Sequence, residues 1–297
     1  MNRRTFIKNS AAASSLCLLP ISSLAFSSAK SYALGYQLYS VRDVMATDPL
    51  ATLQGLKAMG YQDFEIYGFD HLSNQIYGYS PVEFKSILDD LGLSVSSGHY
   101  GFSPFLDAGP DALKQFVDAC IVAAKALGSP YITWPWVAPE QRNIETFKRM
   151  AYTLNIIGEQ ITAAGLGFAY HNHGFEFQEV DGQNGFDIIL KDTDPGLVKL
   201  QMDMYWVMHS AKFTPKELVA KQPGRIVMWH IKDMDSLSRD YTELGNGSIH
   251  YKNVLPDPTD SGLEYFYIEQ GGNFSSSSMQ SAQESAQYFK AELARFL

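Results

Sequence analysis

An α/β fold, a (β/α)8 barrel forming one domain, is predicted for this sequence on three observations. Short β-rich runs alternate with amphipathic helical patterns from Tyr32 onward, eight of each, and such alternation implies parallel strands with helices between them. A length of 297 residues suits a single barrel. No Gly-rich phosphate loop follows an early strand, as a doubly wound open sheet would show, and no Pro-, Gly- or Ser-rich linker divides residues 32–297.

The elements follow in order. Ala33–Tyr39 reads as strand one, and Pro49–Met59 as its helix, stopped by Gly60. Phe64–Tyr67 is strand two. Ser80, Pro81 and Glu83 then supply a cap, a proline at the first helical position and the reciprocal carboxylate of a capping box, for a helix ending near Leu91-Gly92. Leu93–Ser97, ending at His99, is strand three, and Asp111–Leu127 its helix, closed by Gly128. Tyr131–Trp134 is strand four, and Asn143–Ala164 its helix, closed by Gly165. Leu166–His171 is strand five, with a short helix at Phe186–Lys191. Val198–Asp203 is strand six, with a helix at Thr214–Lys221. Ile226–His230 is strand seven, then a polar loop and a helical piece near Tyr251–Leu255. Tyr265–Glu269 is strand eight, and Ser278–Phe296 the closing helix.

The first 29 residues read differently. Arg3-Arg4-Thr5-Phe6-Ile7-Lys8 precedes an apolar, Ser/Ala-rich run from Ala11 to Phe26, with Ser27-Ser28-Ala29 suited to cleavage. This is the pattern of a twin-arginine signal peptide, which predicts export of the folded protein to the periplasm. The apolar run is too short and too polar to span a bilayer, so no membrane insertion is expected after processing. Cys17 would suit a lipoprotein site, but Leu16 before it is too bulky. Losing Arg3, Arg4 and Lys8 with no acidic residue would take the net charge from −9 to −12. Only Cys120 would remain, in an apolar helical pattern, so no intramolecular disulfide can form. The acidic balance also argues against a nucleic-acid partner, which needs clustered Lys/Arg.

Four strands end alike. His171, Asp203, His230 and Glu269 each close a short apolar run on strands five to eight, and barrel active sites form at those C-terminal ends. Two imidazoles and two carboxylates suit one divalent transition ion, Mn²⁺, Fe²⁺, Co²⁺ or Zn²⁺. Strand alternation puts His171 and His173 on one face and Asn172 on the other.

The motifs Tyr36-Gln37-Leu38-Tyr39-Ser40-Val41-Arg42, Tyr170-His171-Asn172-His173, Asp203-Met204-Tyr205-Trp206, His230-Ile231-Lys232-Asp233, Leu244-Gly245-Asn246-Gly247 and Ile268-Glu269-Gln270 resemble the sugar phosphate isomerase/epimerase family. These are the xylose-isomerase-like TIM barrels, and the resemblance runs from Tyr32 to the end. It implies one divalent metal, Mn²⁺ foremost, held by Glu, Asp, His and Glu from strands five to eight. Asp203, His230 and Glu269 match the last three. His171 stands where many members carry Glu; either it binds the ion, the favoured reading, or Glu176 reaches in from the following loop. The family's epimerases trade a proton between two metal-bound glutamates, and this chain keeps one. His250 is a second departure, where relatives often carry Asp.

Around that set, His99 and His173 are placed to act as bases or substrate ligands, and Lys232 to stabilise a developing oxyanion; a salt bridge to Asp233 is the structural alternative for Lys232. Glu65 is expected to meet either substrate hydroxyls or another barrel residue, and Glu176 to meet substrate. Trp134, Trp136, Trp206 and Trp229 lie at or just beyond strand ends; Trp134 and Trp206 are the expected stacking faces for a sugar ring. His71 and His209 read as loop or surface residues. With no phosphate cradle and no Arg cluster at the later strand ends, the expected substrate is an unphosphorylated carbohydrate. The expected reaction is isomerisation or epimerisation through an enediolate. The alternative is elimination from 3-keto-glycosides, by a lyase or hydratase, which shares the first proton abstraction. A non-catalytic sugar-binding barrel with a structural metal is the rival of another class, and His99, His173 and Lys232 argue against it. The sequence is silent on oligomeric state.

Overall fold

A computed structural model describes residues 31–297; the arginine pair and the signal peptide expected over residues 1–29 lie outside the described residues. Eight parallel strands close a barrel: Gly35–Gln37, Asp63–Ile66, Ser94–His99, Tyr131–Trp134, Gly167–His171, Lys199–Asp203, Ile226–Ile231 and Tyr265–Ile268. Each pairs with its sequence neighbours, and the first pairs with the eighth through Gly35 against Tyr267. Helices fill the outer layer, and the main core lies between them and the strands. Among the described residues no helix is long and apolar enough to cross a membrane.

The Ser80 cap forms as predicted, and three further helix starts are capped in the same way. Asp48, Ser80, Asn143 and Thr214 each accept the backbone N–H three residues on, and both Ser80–Glu83 and Thr214–Glu217 form reciprocal boxes. Gly92 and Gly128 close their helices in the left-handed region.

Three elements differ from expectation, each for a local reason. Strand one stops at Gln37 because its Oε1 accepts the Tyr39 N–H at 3.0 Å and turns Leu38–Val41 into a 3-10 turn. Met204–Ser210 forms a helix directly after strand six, capped by the Asp203 carboxylate through Trp206 N–H at 3.2 Å. The closing helix runs as α only over Ser278–Tyr288 and widens to a π turn at Phe289–Leu293, which stacks Phe289 on Phe266 with ring centroids 4.9 Å apart.

Inside the barrel the inward positions are unusually polar below the mouth. Gln37, Glu65 and Ser97 lie in register on three adjacent strands, and all are fully buried. At the lower end Tyr131, Ala169, Met228 and Tyr267 close the interior with apolar bulk.

Candidate active site

Glu65 is the hub of the buried layer. Its Oε1 accepts from Ser97 Oγ and Gln201 Nε2, each at 2.6 Å. Its Oε2 meets Gln37 Nε2 at 2.7 Å, His230 Nε2 at 2.6 Å and His99 Nε2 at 3.0 Å. Burial raises the pKa of this carboxyl, but the His99 and His230 rings outweigh that and hold it well below the ordinary range. Of the two expected roles of Glu65, contact with barrel residues is the one seen: it lies beneath the site with both oxygens engaged, orienting His230 and His99. Gln201, which also meets His99 Nε2 through Oε1 at 2.7 Å, escaped the sequence reading. Its signal was available: a polar residue on the same strand face as Asp203, two positions before it.

Above this layer His230 is held from both sides, by Glu65 on Nε2 and by Glu269 Oε2 on Nδ1. Burial depresses the imidazolium, yet the two carboxylates overturn this and raise its pKa to about 9. Lys232 follows on the same strand face, and its Nζ lies 2.7 Å from both Asp203 Oδ2 and Glu269 Oε2. Burial lowers the pKa of the ammonium, but those two carboxylates dominate and raise it. For Glu269, burial acts upward and the Lys232 and His230 charges hold its pKa low. Asp203 goes the other way: burial raises it despite Lys232. His171 is fully buried, with Nε2 3.7 Å from Asp203 Oδ2 and Nδ1 without a hydrogen-bond partner. Burial and then the neighbouring imidazoles keep it neutral.

Asn172 points the opposite way, as alternation requires, and clamps strand six. Its Oδ1 accepts the Asp203 N–H at 3.1 Å and its Nδ2 donates to the Asp203 carbonyl at 3.4 Å. Lys232 does not pair with Asp233, because neighbours on a strand face opposite sides. The Asp233 carboxylate instead accepts the N–H groups of Met234, Gly245, Gly247 and Ile249 at 2.8–3.3 Å. That explains the spacing between His230-Ile231-Lys232-Asp233 and Leu244-Gly245-Asn246-Gly247: one carboxylate folds the whole loop. A Cβ on Gly247 would sit 2.2 Å from Asp233 Oδ1, so glycine is needed there. The loop carries a two-stranded ribbon, Asp233–Met234 with Tyr241–Thr242, that sets the Tyr241 ring 5.6 Å from Lys232 Nζ. Asp233→Ala is expected to cost about 3 kcal/mol, two charge-assisted hydrogen bonds' worth, and to expose residues 235–249 to protease. An unchanged melting temperature together with an uncut loop would contradict this role.

Of four further site residues, Trp134 and Glu176 need correcting, while His173 and Trp206 stay at the mouth. Trp134 is no stacking face: inward Thr133 bonds Ser97, so Trp134 points outward, fully buried and stacked on Phe102 at 5.2 Å. Glu176 is buried behind the mouth, accepting the His173 N–H at 2.9 and 3.0 Å and the Tyr170 hydroxyl at 2.7 Å. Burial raises its pKa to about 7 against those donors. It joins no group of metal-competent side chains among the described residues. His173 does reach the His171 side, with ring centroids 4.8 Å apart, and burial, then Lys232, keep it neutral. Trp206 packs 5.8 Å from His173, half-buried at the rim.

Two triads have ligand atoms within 4.8 Å of one another: Asp203, His230 and Glu269, and His99, His171 and His230. The first fits a divalent ion by its chemistry. Two anionic oxygens and an imidazole converge in a dry site, and a cation, the Lys232 ammonium, already bridges the two carboxylates. His171, whose Nδ1 has no hydrogen-bond partner and whose Nε2 lies 3.7 Å from Asp203 Oδ2, extends the donor set.

Residues 53–291 match the profile of a family described as the xylose isomerase-like TIM barrel. No curated protein matches the sequence. Among solved structures, a sugar phosphate isomerase/epimerase from Parabacteroides distasonis ATCC 8503 is 24% identical, over 93% of this chain and 99% of that one, with a TM-score of 0.74. The IOLI protein, solved with a binding zinc atom, is 15% identical over 89% and 99%, with a TM-score of 0.71. An L-ribulose 3-epimerase is 17% identical over 89% and 96%, with a TM-score of 0.65. At these identities the likeness is one of fold.

Proposed function

The chain belongs to the xylose isomerase-like TIM barrel family, and from that premise we propose that it is a divalent-metal-dependent enzyme that moves a proton next to a carbonyl in an unphosphorylated carbohydrate. The observation that carries this reading is the juxtaposition of Glu269, held ionised by Lys232 and His230, with the Asp203–His230–Glu269 donor group. An ionised carboxylate beside a cation site is the equipment of proton abstraction. Names among the structural relatives, an L-ribulose 3-epimerase and a zinc-binding barrel, point the same way.

Asp203, His230 and Glu269, with His171, would hold the ion; when bound, it supplies the positive charge that favours the enolate form of the substrate. The remaining work falls to the chain. Glu269 takes the proton adjacent to the carbonyl. Lys232, fixed by two carboxylates, offers its N–H groups to the oxygen that gains charge. Neutral His173, on the strand-five side, accepts or returns a proton there. Glu65 prevents His230 and His99 from turning. The Tyr241 ribbon and Trp206 border the mouth and limit water.

Reprotonation of the enediolate gives isomerisation or epimerisation. Elimination from a 3-keto-glycoside is the second reading, favoured by one observation: the strand-five end bears neutral imidazoles where a second carboxylate would serve a two-base epimerase. Incubating metal-loaded protein with glucosides and their 3-keto forms in D₂O separates the outcomes by NMR. Deuterium at the α-carbon with retained linkage marks the epimerase, and loss of the aglycone marks the lyase. Binding without exchange or cleavage in any substrate would return the protein to a non-catalytic sugar binder.

We further propose export through the twin-arginine route, on the strength of Arg3 and Arg4. Arg3→Lys/Arg4→Lys is expected to retain the protein in the cytoplasm, as read by cell fractionation. An unchanged periplasmic yield would remove the proposal.

A further inference from the structure

We infer that the rim beyond strand four carries a second sugar subsite, built on Trp136, which receives the neighbouring ring of a glycoside while its reacting ring faces Glu269 and Lys232. The inference rests on the carbohydrate reading above and extends it from a sugar to a glycoside.

The four tryptophans are no longer equivalent once the chain is folded. Trp134 and Trp229 are wholly buried, and their indole N–H groups are satisfied within the core by the Trp136 carbonyl at 2.6 Å and Ser261 Oγ at 2.9 Å. Trp136 keeps 44% of its surface exposed. Exposure alone means little, but this ring is also held in place. Its backbone carbonyl accepts both the Trp134 indole and Ser103 Oγ, the latter at 2.7 Å. Its ring stands edge-to-face with His173 at 5.2 Å and Phe175 at 5.5 Å. The Arg142 guanidinium lies 4.3 Å from the Trp136 centroid and 3.9 Å from that of Phe175. A rigid, half-exposed indole is a preorganised platform, because little freedom remains to be lost when a ligand covers it.

Its position ties it to the chemistry. His173, the ring it touches, lies 4.8 Å from His171, which lies 4.6 Å from His230. Two side chains, His173 and His171, thus stand between Trp136 and His230 of the donor group. With two side chains between them, the indole and His230 are separate places for a ligand, and a linked second ring supplies the added length.

Polar capacity is unspent in the same place. Arg142 Nη2, His173 Nδ1 and Trp206 Nε1 are buried around the indole without a hydrogen-bond partner among the described residues, although Arg142 Nε donates to the Val137 carbonyl at 3.0 Å. A flat aromatic face with a few convergent donors and acceptors is the chemistry that recognises a pyranose: C–H groups on the ring, hydroxyls on the polar atoms. A phosphate fits less well, since the Arg142 guanidinium is laid over the Trp136 and Phe175 rings and the Lys232 ammonium is already held by Asp203 and Glu269. Gly174 keeps the wall thin. A Cβ there would lie 2.7 Å from the Trp206 ring and 2.6 Å from Ser210 Oγ, forcing Trp206 away from His173.

The test uses the metal-loaded full chain and isothermal titration with glucose, cellobiose, maltose, trehalose and glucose 6-phosphate. The wild type is expected to bind at least one disaccharide about tenfold tighter than glucose, the scale of one stacked ring. Trp136→Ala should bring that ratio close to one, and Trp136→Phe should retain part of it, with metal content confirming that both variants are folded. A disaccharide advantage that survives Trp136→Ala overturns the subsite, as does tightest binding of glucose 6-phosphate. Glucose binding without any disaccharide advantage removes the second ring but leaves the carbohydrate reading intact. Binding of no sugar by a metal-replete protein removes both.

Discussion

Asp203→Ala and His230→Ala are each expected to strip the purified protein of divalent metal, to below about a tenth of the wild-type content after dialysis, because losing even an outer-shell partner commonly costs 10–100-fold in affinity. Both residues sit in the buried triad with Glu269, so neither oxygen nor imidazole can be replaced by another side chain of the described site without moving a strand. The two variants fail for different reasons. Asp203→Ala also removes the cap of the Met204–Ser210 helix and one of the two carboxylates on Lys232. His230→Ala leaves Glu65 and Glu269 without their shared partner. Asp203→Asn guards against misreading a folding defect: it keeps the shape and one oxygen that can accept from Trp206, so the fold should survive while metal is still lost. Elemental analysis of all three decides the matter. Full occupancy in folded Asp203→Asn and His230→Ala would place any metal elsewhere.

Glu269→Gln is expected to slow exchange of the substrate α-hydrogen with solvent deuterium by about 10²-fold or more, a usual general-base contribution, while some metal is retained. The amide keeps one oxygen donor and the shape, but it cannot take a proton. It also loses its charge toward Lys232, which remains paired with Asp203 at 2.7 Å, so the strand-seven side should stay in place. His99→Asn and His173→Asn serve as companions, expected to leave metal content near wild type and slow turnover. Should Glu269→Gln exchange at the wild-type rate with metal bound, the carboxylate is a ligand only. The base would then be sought at His99 or His173, and the lyase reading would gain.

Much of the fold was legible along the chain because its signals are local. Ser80-Pro81-Val82-Glu83 makes its capping box with atoms three residues apart, and Gly92 and Gly128 stop helices through their own φ. The Met204–Ser210 helix was missed because its cap, Asp203, was read only as a strand-end ligand, and one carboxylate does both jobs. Strand one was overextended because a Gln37 side chain, not a Gly or Pro, turns the chain.

By itself the sequence determined the eight-fold alternation, the Ser80–Glu83 capping box and the glycine helix stops, and the delivery of His171, Asp203, His230 and Glu269 to the ends of strands five to eight. All of these follow from periodicity and from spacings of a few residues. Only the tertiary structure decided the rest. It placed Glu65 under His230 and His99 across 165 and 34 residues of chain, withdrew Glu176 behind His173, gave Asp233 to the loop amides and Lys232 to Asp203 and Glu269, and left Trp136 exposed where Trp134 is buried. The physical reason is that a side chain's face is fixed by strand alternation, while its partner is fixed by barrel closure. Closure brings together residues whose separation in sequence carries no signal.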